Sequence, residues 1–259
     1  MNINKHKQTY RTIIMSLNER QNAILQTLKE EKKANVRALA KTLFVSEATI
    51  RRDLKEMQQM GLVERRHGGA VLPEHAEEVS LFFRIGKNAR EKERAASAAL
   101  LHIPPFKTVF LDGSSTTLAL AERMDLRNKT VITNCLQAAL QLSKKTDVQV
   151  LLLGGTVRQN TTAVTGCLTV RLLGELSFDL MLCSCAAVRN GEALERSLEQ
   201  AELKRTAFQR SQTRILLFDH TKTAAHGTYK VTELSAFDIV ATDQVPNAPK
   251  ENVRYVYPV

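Results

Sequence analysis

Apolar residues recur at three- and four-residue spacing up to about residue 60, and beyond residue 105 they gather into short blocks. The first pattern predicts helices and the second buried strands. Ser16 and Glu19 form a potential capping box ahead of Ile24, Leu25 and Leu28, the apolar stripe of a first helix ending near Glu31. Asn35 can cap a second helix in which Val36, Leu39, Ala40 and Leu43 share a face, with Arg37 and Lys41 outside it. Ser46 can cap a third, with Ile50, Leu54 and Met57 inward and Gly61 placed to terminate it. Residues 62–65 and 70–72 then read as two small strands around the turn Arg66-His67-Gly68-Gly69.

Pro73 closes this hairpin, and residues 74–86 have the acidic, then mixed composition of a linker. A charge-laced helix is expected over 87–101, ending before Pro104 and Pro105. Apolar runs at 108–111, 129–133, 148–153, 179–184, 213–218 and 238–242 then alternate with helical segments at 115–124, 135–144, 168–176 and 194–209. Such alternation predicts βαβ units in a mostly parallel, helix-covered sheet. The expected layout is a basic N-terminal extension (1–15), a small three-helix module with a hairpin (16–73), a linker (74–86) and a larger α/β domain (87–259).

Composition sharpens this layout. With 43% hydrophobic and 25% charged residues in 259, the chain can bury a core, and no uncharged apolar run approaches membrane-spanning length. The start of the chain is basic and polar, so a cytoplasmic protein without membrane association is expected. Four cysteines without zinc-finger spacing read as reduced thiols, and neither a metal nor a cofactor is expected. The net charge of +10 is uneven: residues 1–73 carry 14 Lys and Arg against 7 Asp and Glu. A basic small module joined to a near-neutral large one is the layout of a nucleic-acid reader attached to something else.

On the third helix, Ala48, Arg52, Lys55 and Gln59 fall opposite the Ile50 stripe, with Thr49 and Arg51 on the flanks. Three helices with a short turn before the third, followed by a hairpin carrying Arg65, Arg66 and His67, describe a winged helix-turn-helix. The DNA-contacting set is then Ser46, Thr49, Arg51, Arg52, Lys55, Arg65, Arg66 and His67. Asp53, near the apolar edge, is expected to bond an arginine such as Arg51 or Arg20 inside the module. Arg20, Ile24 and Leu28, then Ser46, Thr49, Ile50, Arg51, Arg52, Asp53 and Leu54, with the wing Arg66-His67-Gly68-Gly69-Ala70, resemble the DeoR family of bacterial transcription regulators.

Ligands of parallel sheets bind beyond the carboxyl ends of strands. The residues there are Asp112-Gly113-Ser114-Ser115-Thr116-Thr117, Thr133-Asn134, Gly154-Gly155, Ser184-Cys185, Asp219 with Lys222, and Thr242-Asp243. Four consecutive hydroxyl residues at a helix start suit a phosphate, Asp112 can accept from sugar hydroxyls, and Lys222 can neutralise phosphate as a point charge. His220 stands beside this set as a candidate helper. The family resemblance extends here: it implies a fold similar to ribose-5-phosphate isomerase and the CoA-transferases, and a phosphorylated sugar or related metabolite as effector. It matches Asp112, Ser115, Thr116, Thr117, Thr133, Asn134, Gly154, Gly155, Glu202 with Lys204, and Asp219 with Lys222. The chain departs from the family at Ser114, often glycine there, and in a short, glycine-poor stretch from Cys185 to Glu202.

The expected function is a transcription regulator, a repressor of a carbohydrate-metabolism operon. It would bind double-stranded operator DNA as a homodimer or homotetramer spanning repeated half-sites. The rival is a sugar-phosphate isomerase carrying a basic module. Such chemistry needs a poised carboxylate base, for which Asp112 or Asp219 could serve, but no pair of carboxylates with isomerase spacing stands out.

Overall fold

The computed structural model describes residues 18–59, 62–72, 81–158 and 161–258, so Ser16, Gly61 and the N-terminal extension lie outside the described residues. The chain divides into two units, Met1–Lys87 and Asn88–Val259.

In the first unit, α1 (Glu19–Glu31) starts at Asn18, not at Ser16. The Asn18 side chain accepts from Gln21 N at 2.8 Å, and the Gln21 side chain accepts from Asn18 N at 3.2 Å. This is a reciprocal capping box, two residues nearer the apolar stripe than the Ser16–Glu19 pairing. Lys32, at φ 67°, closes the helix in the left-handed region. Asn35 caps α2 (Val36–Thr42), as its side chain suggests, but it also ends a strand that periodicity alone does not show, β1 (Lys33–Asn35). Three residues are too few to display an alternation.

Helix α2 ends in a Schellman motif. Leu43 is the C-cap, Phe44 stands at the next position with φ 53°, and Val45 N donates back to Ala40 O at 3.1 Å. Helix α3 (Glu47–Gln59) follows, and Ile50, Leu54 and Met57 bury against Ile24, Leu28, Val36, Leu39 and Ala70. The hairpin is tighter than expected: β2 (Glu64–Arg66) and β3 (Gly69–Val71) pair Arg66 with Gly69, leaving only His67-Gly68 as the turn. Gly68 takes φ 75°, and a Cβ on Gly69 would stand 2.1 Å from Ala34 O, where β3 pairs with β1. The segment read as linker contains a short helix, α4 (Leu81–Gly86).

The second unit is built on seven strands in the order β15-β14-β12-β9-β4-β5-β6, every adjacent pair parallel. They are β4 (Thr108–Leu111), β5 (Lys129–Thr133), β6 (Val148–Leu152), β9 (Phe178–Cys183), β12 (Ser211–Phe218), β14 (Ile239–Thr242) and β15 (Tyr255–Val256). Phe110, Met181, Leu216 and Val240 share a buried cluster with Ala201, Leu203 and Ala207 of α9 (Leu198–Gln209) and Leu173 of α8 (Cys167–Gly174). The alternate residues Val109, Leu111, Leu180, Leu182, Ile215 and Leu217 are also buried and point to the other face. On that face α5 (Ala89–Leu100) packs with α6 (Ser115–Arg123) over β12 and β14, while α7 (Leu136–Leu142) lies along β5 and β6. Coverage on both faces explains why the central strands β4, β9, β12 and β14 read as continuous apolar runs, whereas edge strand β6 leaves Leu151 and Leu152 exposed.

Several short elements escape the apolar pattern. They are β7 (Thr156–Val157) with β8 (Val164–Thr165), and a three-stranded antiparallel sheet of β10 (Ala187–Arg189), β11 (Glu192–Glu195) and β13 (Tyr229–Glu233). The sheet takes residues 192–195 partly out of the helix expected from 194, which starts instead at Leu198 with Ser197 as its cap. Among the described residues no helix is long and apolar enough to cross a membrane.

Candidate nucleic-acid interface and effector site

In the first unit, Ser46 Oγ accepts from Thr49 N at 3.1 Å and meets Thr49 Oγ1 at 2.9 Å, fixing the start of α3. Arg51, Arg52 and Lys55 are exposed on the helix, and Arg65, Arg66 and His67 are exposed on the hairpin. The arginines rest on weak surface pairs: Arg51 with Glu47 at 2.8 Å, Arg52 with Glu56 at 3.8 Å and Arg66 with Glu64 at 2.9 Å. Exposed pairs contribute about 0–1 kcal/mol, so phosphate can displace them. Asp53 is buried and accepts from Arg20 Nε at 2.5 Å and Nη2 at 3.1 Å, while Arg51 turns outward. Of the two arginines open to Asp53, the structure selects Arg20. The Gly68 carbonyl accepts from Val36 N at 2.8 Å, tying the hairpin tip to the start of α2.

In the second unit, the chain runs from β4 to β5 and β6 on one side and returns to β9 on the other. The carboxyl ends of β4 and β9 therefore flank the point where strand order reverses, the crevice in which such sheets bind ligands. Asp112 lies in it and is buried. Its Oδ1 accepts from Thr117 Oγ1 at 2.7 Å and Ser114 N at 3.1 Å, and its Oδ2 accepts from Ser184 N at 3.0 Å. Lys204, also buried, donates to Asp112 Oδ2 at 2.8 Å, to Ser184 O at 2.6 Å and to Glu195. Burial alone would push the Asp112 carboxyl up, but the Lys204 charge and these hydrogen bonds hold it below the usual range. Burial likewise works against the Lys204 ammonium, and the two carboxylates outweigh it and raise its pKa. Nearby, burial pushes the Cys185 thiol up to about 12; Glu195 adds to the rise, and Lys204 and Lys222 oppose it. All four cysteines are free thiols.

The remaining candidates extend this row. Ser114 caps α6, its Oγ accepting from Thr117 N at 3.1 Å, so Ser114 and Thr117 are engaged within the fold while buried Ser115 and Thr116 are not part of that network. A Cβ on Gly113 would stand 3.3 Å from Cys135 Cβ, whereas one on Gly154 would meet open space. Gly155, at φ 147°, leaves no room: an added Cβ would lie 2.1 Å from Thr169 Oγ1. Thr133 Oγ1 accepts from Cys135 N at 3.1 Å. Asn134, beyond β5, is fully buried and donates to Val164 O at 3.3 Å. Among the described residues its Oδ1 has no partner, and neither has Oδ2 of buried Asp219, beyond β12. Lys222 is half-buried in the turn that Asp219 caps. His220 N and Nδ1 both meet the Asp243 carboxylate, each at 2.7 Å.

Sequence reasoning missed Glu195, because a helix was expected to begin at 194, and Asn88, whose Nδ2 reaches Thr221 Oγ1 at 3.0 Å. The Asn190-Gly191 turn, with Ser197 as a cap further on, was the available signal for a hairpin strand carrying Glu195.

A basic winged helix-turn-helix in one chain with a parallel sheet whose switch point is lined by polar groups defines a DNA-binding transcription regulator with a separate sensor unit. Residues 20–76 match the DeoR-like helix-turn-helix domain and residues 87–244 the DeoR C terminal sensor domain. The chain belongs to the DeoR family. It is 35% identical over 88% of its length to the HTH-type transcriptional regulator GolR of Listeria innocua, covering 91% of that protein. It is 29% identical to the glycerol-3-phosphate regulon repressor of Escherichia coli, over 90% of this chain and 93% of that one. The repressor GlcR of Bacillus subtilis is 30% identical, over 88% and 89% respectively. Ribose 5-phosphate isomerase A of Methanocaldococcus jannaschii aligns over 53% of this chain and 55% of its own, at a TM-score of 0.36 and 11% identity.

Proposed function

We propose that the protein is a repressor of a carbohydrate-metabolism operon, acting in the cytoplasm as a homodimer or homotetramer and released or engaged by a phosphorylated sugar. The observation that carries the effector reading is that, of three buried side-chain acceptors without a partner among the described residues, two, Asn134 Oδ1 and Asp219 Oδ2, stand just beyond the carboxyl ends of strands, the third being Gln141 Oε1 on α7. A buried acceptor without a donor is costly, and sugar hydroxyls supply donors. The strand order sets the ends of β12 and β5 three steps apart, about 14 Å, within reach of a phosphorylated sugar held by side chains from either end. Ser115, Thr116 and the free amides at the start of α6 receive the phosphate, with Lys222 as its counter-charge. Gly154 keeps the approach clear, Gly113 lets the chain pass close to Cys135, Thr133 and Gly155 shape the neighbouring loops, and Lys204 acts through Asp112. Relatives named for a glycerol-3-phosphate regulon and a lactose phosphotransferase system support this ligand class.

An isomerase activity fits less well. A carboxylate held low by Lys204 is a weak base, and Asp112 spends both oxygens on the fold. On DNA, α3 enters the major groove with Arg52 and Arg51 toward base edges, while Lys55 and the hairpin cations contact phosphate.

Calorimetry with a panel of phosphorylated sugars, on wild type and Lys222→Ala, tests the sensor reading. One compound should bind wild type and lose at least tenfold affinity in the variant, with operator binding near wild type in the absence of ligand. Equal affinity in both proteins would place the site elsewhere.

A further inference from the structure

Phe44 is the most exposed large hydrophobic side chain among the described residues, at 93%. A single exposed apolar residue is ordinary on a protein surface. Its backbone is not: φ is 53°, at the position after the C-cap of α2 where a Schellman motif favours glycine. The motif closes through Val45 N and Ala40 O, neither of which involves the Phe44 side chain. Leu43 and Val45 on either side pack against the unit's core, so the ring alone is turned outward. Neither the local fold nor solvation accounts for a phenyl ring here, and such a combination points to a contact made outside the chain.

The surroundings say what that contact is. Phe44 precedes the α3 cap Ser46 by two residues, which span at most about 7 Å. Exposed cations lie on both helices that flank the turn, Arg37 and Lys41 on α2 and Arg51, Arg52 and Lys55 on α3. A face of that charge fits a polyanion, and the apolar feature that double-stranded DNA offers beside its phosphates is the thymine C5-methyl in the major groove. We infer that Phe44 is a specificity residue of the reader, packing its ring on a thymine methyl at the rim of the groove that α3 enters. The inference rests on the docking of α3 proposed above.

The full-length protein is first used to recover its operator by in vitro selection, and each thymine of that site is then replaced singly by deoxyuridine, which removes only the methyl. At one position per half-site the change should weaken wild-type binding about fourfold, the equivalent of one buried carbon. Phe44→Gly and Phe44→Asn, which both tolerate a left-handed backbone, should lose at least that much affinity and become indifferent to the same replacement. Their salt dependence should match wild type, since no phosphate contact is removed, and their thermal midpoint should be unchanged or higher. Wild-type affinity in both variants, or retained sensitivity to every thymine replacement, would overturn the inference. So would a lowered midpoint, which marks a structural ring, or sedimentation showing that the variants lose self-association at unchanged half-site affinity. Arg52→Ala separates the two levels: if it leaves operator binding intact, the docking of α3 fails, whereas loss in Arg52→Ala with neutral Phe44 variants sinks this inference alone.

Discussion

Lys204 holds the switch point together, because it is the cation shared by Asp112 and Glu195 and also bonds the Ser184 carbonyl. Lys204→Met leaves two buried carboxylates uncompensated and should cost about 3–5 kcal/mol in urea unfolding. Adding Asp112→Asn and Glu195→Gln to it should restore part of that loss, whereas a triple variant as unstable as the single one would remove charge as the cause. His220 gives the pH prediction. The Asp243 carboxylate bonded to its ring raises its pKa against a smaller effect of burial, and Asp219 and Glu91 act in the same direction. A raised folded pKa means stability that is complete below the unfolded value of 6.5 and is lost as pH rises through the higher folded one. Wild type minus His220→Gln in thermal midpoint should therefore shrink across neutral pH and beyond, and a difference flat with pH would contradict the linkage. Asp112, from its place after a strand, and Lys204, from the family resemblance, were both legible as candidates. Their bond to each other was not, since 92 positions separate them and only the fold brings them together.

At the level of elements, long periodic segments were legible and short ones were not. Helix α3 and the strands β4, β5, β12 and β14 stand close to where their apolar positions put them. Strand β1, with three residues, carries no pattern and is defined by pairing with β3. That pairing makes Gly69 critical, because a methyl there meets the Ala34 carbonyl. Gly69→Ala should destabilise the first unit by about 1–3 kcal/mol and weaken operator binding through a displaced hairpin, read by thermal melting and fluorescence anisotropy. Ser16-x-x-Glu19 puts the start of α1 at Ser16, but Asn18-x-x-Gln21 is an equally good capping box and is the one the structure forms. Asn18→Ala should cost about 1 kcal/mol, and no loss would return the cap to Ser16.

Across the whole molecule, each unit has its own buried cluster, and a ligand of the second should raise the second's melting transition alone. At a hundredfold excess over its dissociation constant the gain is about 2.7 kcal/mol, and a simultaneous equal rise in the first transition would show the units to melt as one. The two-part layout was legible from charge asymmetry and from the change of apolar period; the strand order was not, because parallel pairing is set by crossovers between distant segments. That order has a consequence during synthesis. The first unit needs nothing beyond residue 72 to complete its hairpin, but β4 at the centre of the sheet waits for β9, and Asp112 waits for Ser184 and then Lys204. A ribosome therefore delivers the part that grips DNA more than a hundred residues before the part that listens. A chain cut short between the two, by a nonsense codon or a protease, would carry a finished reader and be deaf to every metabolite.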